Sequence, residues 1–428
     1  IIVNGLWRSY YEVEFYFIIP KGDKMRIHRL ALAAAVVAGI SGSAVVQAAD
    51  LKIAHIIGRT GPMEPFATQA SRGFKLGLEY ATGGKMEVAG RKIVVLDKDD
   101  QLKPDNGKQL LQAAFKDEGV DIAVGPTSSA VALAMIQVAR ENKKILIIDQ
   151  AAAENLTGNK GSRYVFRTGR NSDHDAYANA AVYAKPGNFI ATLAPDYSFG
   201  REGIASFKQA LKGSPAQLVE EVYAPANNAD FTPQATKLFN ALKDKPGRKI
   251  IWYIWAGAGN PLKIMDLDPK RYGIEVISGG GTVLPFMGAA RPMVGNESAT
   301  AYYFKCPKNA INDWMVKEHQ KRYNSPPDFF TVNGFMTAQA IVEAVKKTNG
   351  KTDDTELLIK TLKGLAFDSP KGKVFFNKDN NQLMQVMYHF KYKLNPEMDN
   401  SPTKGVDLDC IREIPISEMK IPAMVLKD

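Results

Sequence analysis

The chain has 428 residues, of which 45% are hydrophobic and 23% charged, and its formal net charge is +10. This is the composition of a globular protein, and the length allows two or more domains. Because the basic residues are scattered among acidic ones, we expect no nucleic-acid partner. The five histidines and two cysteines show no zinc-ligand spacing, so we expect no metal. Gly-x-Gly at Gly257–Gly259 lacks the third glycine of a dinucleotide motif, so we expect no cofactor.

Residues 25–48 have the order of a secretory signal peptide. Two arginines near the start precede an apolar stretch rich in small residues, which ends in Val-Gln-Ala. We therefore expect export and cleavage near Ala48. The alternative is a membrane anchor, although glycine and serine interrupt the short apolar stretch. Residues 1–24 are interpreted as an upstream extension outside the natural protein.

From Leu51 onward, short apolar runs alternate with segments of helical spacing. The strand-like runs include LKIAHIIG, RKIVVLDKDD, VDIAVG and KILIID, and the alternation begins again at GNFIATLAPD. This order predicts an α/β fold with two doubly wound, Rossmann-like units, joined near Arg167–Asp173. From Gly372 to Lys393, alternating apolar and polar residues predict antiparallel strands.

Ligands of open α/β sheets bind beyond the carboxyl ends of the strands. The candidate loops are therefore 58–66, 125–129, 149–158, 194–200, 255–260 and 278–282. Aromatic side chains that could line an apolar slot between the two units are Phe66, Tyr197, Phe199, Trp255 and Phe330. Each of these rings could instead belong to a core.

Ser128 and Ser129 stand between an apolar run and a helical pattern. Hydroxyl donors and free amides at a helix N-terminus favour an anion such as a carboxylate. The alternative is that these serines only cap the helix. A secreted hydrolase using Ser129 is a further alternative. However, the sequence has no G-x-S-x-G elbow and no histidine beside the serines, so we expect no enzyme.

Several segments follow one another in an order that resembles the periplasmic leucine/isoleucine/valine-binding proteins. They are GRTGPMEPF, GGKMEVAGRKIVVLDKDDQLKPDNG, GVDIAVGPTSSAVA, DQAAAENLTG, RTGRNSDHDA, PDYSFGREG and PPDFFTVNGF. The resemblance implies a type I binding-protein fold and a periplasmic solute receptor of an ABC importer. Its two lobes would close around a small ligand and dock on an inner-membrane permease complex. A monomer is the simplest expectation for such a shuttling receptor.

The resemblance also implies three crossings between the lobes, which form a three-strand hinge. We expect lobe 1 to hold residues 49–170 and 305–372, lobe 2 to hold 171–304 and 373–393, and a C-terminal extension to span 394–428. In an exported chain Cys306 and Cys410 could pair and tether this extension; two free thiols are the alternative.

The family holds the ligand carboxylate with a serine, and Ser129 falls on that place. The backbone of Gln150, Ala151 and Ala152 would assist. A tyrosine from the other lobe falls near Gly257, where Trp255 could reach the same space.

This sequence differs from the amino-acid receptors of the family at two places that would contact the α-amino group of the ligand. Ala152 stands where amino-acid receptors have a threonine. The acidic partner of the ammonium falls near Gly280, yet no acidic residue occurs between Val276 and Asn296. An unpaired buried ammonium costs several kcal/mol, which favours an aromatic or branched carboxylate without an amino group. The alternative is that another loop supplies the charge, through Asp149, Glu154 or Asp196.

The predicted function is therefore a periplasmic receptor for a carboxylate-bearing small molecule, either an amino acid or an aromatic or branched acid. One alternative is a receptor of the same fold that passes its closed form to a signalling partner. The other is the secreted serine hydrolase.

Overall fold

The computed structural model describes residues 48–279, 283–401, 403–422 and 424–426. The predicted upstream extension, and the signal peptide up to residue 47, lie outside the described residues, as does Gly280. In the described part of the chain, no helix is both long enough and apolar enough to cross a membrane.

The first half of the chain forms a six-stranded sheet with helices between its strands. Its strands are β1 (Leu51–Ile57), β2 (Glu87–Val88), β3 (Arg91–Asp99), β4 (Ile122–Val124), β5 (Ile145–Ile148) and β6 (Val165–Arg167), and its helices α1 (Glu64–Ala81), α2 (Pro104–Lys116) and α3 (Ser129–Asn142). The strand order is β2-β3-β1-β4-β5-β6, parallel except for β2. The order reverses at β1, so the loops after β1 and β4 flank a switch point.

The second unit repeats this arrangement in a four-stranded parallel sheet. It contains α4 (Ser172–Tyr183), β7 (Asn188–Pro195), α5 (Ser198–Leu211), β8 (Gln217–Ala224), α6 (Thr232–Leu242), β9 (Arg248–Tyr253) and β10 (Ile274–Ser278). The strand order is β10-β9-β7-β8, so the loops after β7 and β9 flank its switch point. The predicted α/β fold with two doubly wound units is confirmed.

The rest of the chain adds helices and two small antiparallel sheets. These elements are β11 (Glu297–Thr300), α7 (Ala310–Tyr323), α8 (Phe329–Lys347), α9 (Thr355–Leu362), β12 (Ala366–Ser369), β13 (Gly372–Phe376), β14 (Leu383–Met384), β15 (Met387–Leu394), β16 (Val406–Ile414) and α10 (Ile416–Met419). One sheet has the order β12-β13-β14 and the other β11-β15-β16, so the predicted antiparallel run supplies strands to both. The lobe boundaries stay a prediction.

Helices α1 and α8 cross closely because glycines face each other across the contact. A Cβ atom on Gly73 would lie 1.8 Å from the Thr331 carbonyl oxygen, and one on Gly334 would lie 2.1 Å from that of Ala70. Neither position can accept a side chain without separating the helices. The close contact places the N-terminal end of α8, with Phe329 and Phe330, beside the loop after β1.

The segment after residue 393 is anchored at several points. Cys306 and Cys410 form a disulfide, with their Cα atoms 5.6 Å apart, and β16 pairs with β15 along its length. Further along, the backbone N–H of Leu426 donates to the carbonyl of Asp379, at 3.1 Å. The segment is therefore part of the folded body.

His319 in α7 makes the stability depend on pH in a defined window. Its imidazole is buried, and Nδ1 lies 2.6 Å from the Ser325 carbonyl oxygen. Burial lowers the pKa of His319 to about 4, whereas an unfolded histidine titrates near 6.5. The neutral form is favoured by the folded state, so this stability is present above pH 6.5 and is lost as the pH falls toward 4.

We expect His319→Asn, whose side-chain amide can replace the Nδ1–H donor, to remove that dependence. Between pH 6.5 and 4.5, the wild type should lose about 2 kcal/mol more unfolding free energy than the variant. Urea unfolding at the two pH values measures this difference. Parallel losses in both proteins would contradict the assignment to His319.

Candidate functional site

The loops at the two switch points meet at a small cavity of about 50 Å³ between the two α/β units. The predicted residues that line it are Phe66, Ser129, Gln150, Ala152, Tyr197, Phe199, Trp255 and Phe330. Three other lining residues lie within the predicted candidate loops, and they are Met63, Thr127 and Ala256. The predictions did not include the remaining three, which are Arg170, Val283 and Phe329. Of the remaining predicted residues, Ser128 and Ala151 are buried in the same loops, and Gly257 lines an adjoining cavity.

The loop after β4 is held tightly to the sheet before α3 begins at Ser129. Gly125 has a φ of 119°, and a Cβ there would lie 1.9 Å from the Ile56 carbonyl oxygen, so only glycine fits. The Ser128 side chain makes no capping hydrogen bond to the first turn. The first amides of α3 therefore lack a side-chain acceptor, which is the condition for holding an anion.

Ser129 joins this loop to the loop after β5. Its Oγ accepts a hydrogen bond from the Ala153 N–H at 3.1 Å, and the Ala151 N–H donates to the Pro126 carbonyl at 3.1 Å. Among the described residues no histidine bonds to the Ser129 hydroxyl. The arrangement orients a hydroxyl donor toward the cavity and provides no base to make it a nucleophile.

Arg170 is the cationic residue in the cavity lining. It lies three residues after β6, is only 4% exposed, and its guanidinium carbon lies 5.0 Å from the Phe329 ring centre. Its Nη1 has no hydrogen-bond partner among the described residues. Its Nε lies 3.4 Å from Asp175 Oδ2, without hydrogen-bond geometry. A buried guanidinium with a free N–H edge is suited to bind a carboxylate.

Behind Arg170 lies a buried group of charges. Burial raises the pKa of Asp175 to about 6, while the nearby Arg170 and Lys371 act in the opposite direction. Burial also lowers the pKa of Lys371 well below its ordinary value, and its Nζ donates to Gln385 Oε1 at 2.6 Å. Asp175 is thus the carboxylate beside Arg170, and among the described residues its Oδ2 makes no hydrogen bond to the guanidinium.

Aromatic rings form much of the remaining wall. Phe66 stacks on Phe330 with ring centres 4.8 Å apart, and Phe329 lies 4.1 Å from Phe330. From the second unit, Tyr197 donates from its hydroxyl to the Ala256 carbonyl at 3.2 Å, which holds that ring in place. The rings provide flat apolar surfaces of the kind that pack against an aromatic ligand.

Two further polar atoms belong to lining residues and lack partners. Gln150 Oε1 and Trp255 Nε1 are both buried without a hydrogen bond among the described residues. Buried polar groups are normally paired, so unpaired ones beside a cavity point to a ligand that completes them. A hydroxyl group on the ring of an aromatic ligand can donate to an acceptor such as Gln150 Oε1 and accept from a donor such as Trp255 Nε1.

The acidic residues considered as ammonium partners lie outside the lining. Asp149 is fully buried with its Oδ2 3.5 Å from His55 Nε2. Asp196 pairs with Arg201 at 2.7 Å. Burial raises the pKa of Glu154 to about 7, and Asp173 adds to this effect. Among the described lining residues no carboxylate is present.

Arg167 ties the loop after β5 to Gln382, which directly precedes β14. It is fully buried, and it donates to Thr157 Oγ1 at 2.7 Å and to Gln382 Oε1 at 2.6 Å. It also donates to the Glu154 carbonyl at 3.1 Å. This network holds the Gln150–Ala152 backbone at the cavity edge, so Arg167 has a structural role distinct from that of Arg170.

Sequence reasoning missed Arg170 although the segment RTGRNSDHDA was noted. Its position in the loop after a parallel strand was the available signal, since such loops face the ligand. Phe329 and Val283 carried no such signal. They reach the cavity only through the packing of α8 and of the loop after β10.

Comparison with known proteins identifies the family of the chain. Residues 50–399 match the family model described as periplasmic binding protein. A Leu/Ile/Val-binding protein homolog of Brucella melitensis biotype 1 is 25% identical over 329 residues, covering 75% of this chain and 85% of the relative.

Two crystal structures from Rhodopseudomonas palustris are also similar. An ABC-type branched-chain amino acid transporter protein of strain CGA009 is 54% identical, with a TM-score of 0.78 over 89% of this chain and 100% of that one. An ABC transporter solute-binding protein of strain BisB5, in complex with 3,4-dihydroxybenzoic acid, is 26% identical, with a TM-score of 0.74 over 86% and 98%. The chain belongs to the periplasmic binding protein family as a type I member of its branched-chain amino acid group, and it is an ABC transporter solute-binding protein, not an enzyme.

Proposed function

We propose that this solute-binding protein carries a small aromatic carboxylate without an α-amino group. The observation that supports this most directly is the pairing of charges at the cavity. Arg170 lines it with Nη1 unpartnered, and no carboxylate among the described lining residues is available for an ammonium. A zwitterionic amino acid would place its ammonium beside this cation without a counter-charge, at a cost of several kcal/mol.

The apolar part of the ligand is inferred from the ring-lined wall. Phe66, Phe330 and Tyr197 present aromatic faces from both α/β units. The carboxylate would bind to Ser129, the first amides of α3 and Arg170. The relative from strain BisB5, whose structure contains 3,4-dihydroxybenzoic acid, supports an aromatic acid in this site.

A branched-chain amino acid is the second candidate. It is favoured by the 54% identical protein of strain CGA009, which is described as a branched-chain amino acid transporter. In that case, a carboxylate outside the present lining would have to reach the ammonium after a rearrangement of the cleft. Asp149 adjoins the lining residue Gln150 in sequence, but its Oδ2 lies 3.5 Å from His55 Nε2.

The wider assignment has three further parts. The signal peptide would be cleaved near Ala48, and the mature protein would act as a monomer in the periplasm. The lobes, with the boundaries predicted above, would close around the ligand. The closed form would then dock on an inner-membrane permease complex.

A ligand panel distinguishes the two candidates. We expect benzoate and cinnamate to raise the melting temperature of protein refolded free of ligand. Leucine, isoleucine, valine and phenylalanine should leave it unchanged. At a ligand concentration of about 100 times Kd, binding adds about 2.7 kcal/mol of stability, which is readily seen in a thermal-shift assay. A response to the amino acids alone would reject the proposal.

A further inference from the structure

A second and larger cavity adjoins the one that contains Arg170. Its volume is about 410 Å³, and Phe66, Trp255 and Val283 form walls of both cavities. Small-molecule sites commonly have volumes of about 300–1,000 Å³. The larger cavity reaches that range, and the smaller one does not. The charged side chain Arg170 therefore lines the small cavity, whereas the volume that a ligand needs lies in the adjoining larger cavity.

The larger cavity is lined mainly by apolar surface. Leu262, Met287, Ala290 and Met293 contribute to its wall, and no charged side chain occurs among its described lining residues. The methionines are flexible and polarisable, so they adapt to ligands of different shapes. Among its described lining residues this cavity offers no charged partner to a carboxylate or an ammonium, and it can remove apolar surface from water.

An exposed aromatic side chain lies among the residues that line this cavity. Phe286 is 48% exposed, and its ring meets that of Phe66 edge-on, with ring centres 5.8 Å apart. Phe286 therefore extends the apolar wall of this cavity toward solvent. The Phe66–Phe286 contact also links α1 of the first unit to the segment Leu284–Met293 after β10.

We infer that the ligand is an aromatic acid bearing an apolar substituent of several carbons, and that this substituent occupies the larger cavity. The carboxylate then binds at Ser129 and Arg170, and the ring lies beside the shared wall at Phe66. This inference rests on the proposed function, since it extends the same site. By this inference, the receptor differs from one that binds unsubstituted benzoate, because it also binds the substituent of the ring.

Calorimetric titration of the purified protein with a series of acids tests the inference. The probes are benzoate, 4-ethylbenzoate and 4-butylbenzoate. Each fully buried methylene strengthens binding by about fourfold. We expect 4-butylbenzoate to bind at least tenfold more tightly than benzoate, with 4-ethylbenzoate between them.

A variant that fills the larger cavity provides the second part of this test. Ala290→Leu adds volume inside the cavity, away from Arg170. We expect it to weaken 4-butylbenzoate binding at least tenfold and to leave benzoate within twofold. Ala289→Phe, at an exposed position in the same wall, replaces it should the first variant fail to fold. Ala205→Leu, exposed on α5, is the matched control and should change neither affinity.

The outcomes separate the inference from the proposed function. Equal affinities for benzoate and 4-butylbenzoate in the wild type would overturn the inference while leaving an aromatic acid as the ligand. Binding of leucine with no binding of any acid would overturn both. Loss of benzoate binding in Ala290→Leu would also overturn the inference, because the larger cavity would then hold the ring itself.

Discussion

Arg170→Gln is expected to weaken the binding of an aromatic carboxylate by at least 30-fold. The guanidinium is buried, and within the described part of the chain its Nη1 has no partner, so its charge is available to the ligand. Removing one member of a buried, hydrogen-bonded charge pair costs about 2–5 kcal/mol, and 2 kcal/mol corresponds to about 30-fold in Kd. Titration calorimetry with the acid that gives the largest thermal shift measures the effect.

Lysine at this position should recover only part of the affinity. Arg170→Lys keeps the charge but loses the planar pair of N–H donors that a carboxylate accepts. Arg201→Gln is the matched control, because Arg201 is exposed and pairs with Asp196 away from the cavity lining. We expect that variant to bind within twofold of the wild type.

The removal of Arg170 also leaves Asp175 without its neighbouring guanidinium. The double variant Arg170→Gln/Asp175→Asn removes both charges of the pair, and so it distinguishes lost ligand binding from damage to the fold. Both variants should show the same weak binding. An Arg170→Gln protein that binds the acid with unchanged Kd would show that another group holds the carboxylate.

Loss of the disulfide is the second large effect, and it concerns stability. We expect Cys306→Ser/Cys410→Ser to lower the free energy of unfolding by about 4 kcal/mol. The bond joins residues 104 positions apart, and a cross-link of about this span restricts the unfolded chain strongly. It also ties β16 to the segment before α7, so its loss weakens the anchoring of the C-terminal residues.

Urea unfolding monitored by circular dichroism measures this difference. Reductant should shift the wild-type curve to that of the double variant and leave the variant's own curve unchanged. Superimposable curves for the oxidised wild type and the variant would contradict the expected contribution. Ligand binding serves as the control for the native fold, because the disulfide lies outside the lining of both cavities.

The carboxylate-binding residues and the larger apolar cavity are separate parts of the site. This separation explains how one fold can bind different ligands. The first unit supplies Ser129, Gln150 and Arg170, which recognise the carboxylate. The second unit supplies Trp255 and the wall near Met287, which define the apolar space. A change in the second unit can therefore alter the preferred substituent without affecting the group that holds the acid.

The two α/β units, their repeated order and the serine loop followed from local sequence patterns. The period of the apolar residues identifies strands such as β1 and β4, because buried parallel strands are apolar on both faces. Ser129 was found because it begins a helix directly after such a strand, and that relation is contained in a few consecutive residues. The absence of an acidic residue between Val276 and Asn296 was also visible without coordinates.

Arg170, Phe329, the pairing of Cys306 with Cys410 and the larger cavity required the tertiary structure. Each depends on segments far apart in the chain that are brought together by packing, as α1 and α8 are by Gly73 and Gly334. Local periodicity reports which face of an element is buried, but not which other element covers it. A cavity is a space that several such surfaces leave between them, and no single segment encodes it.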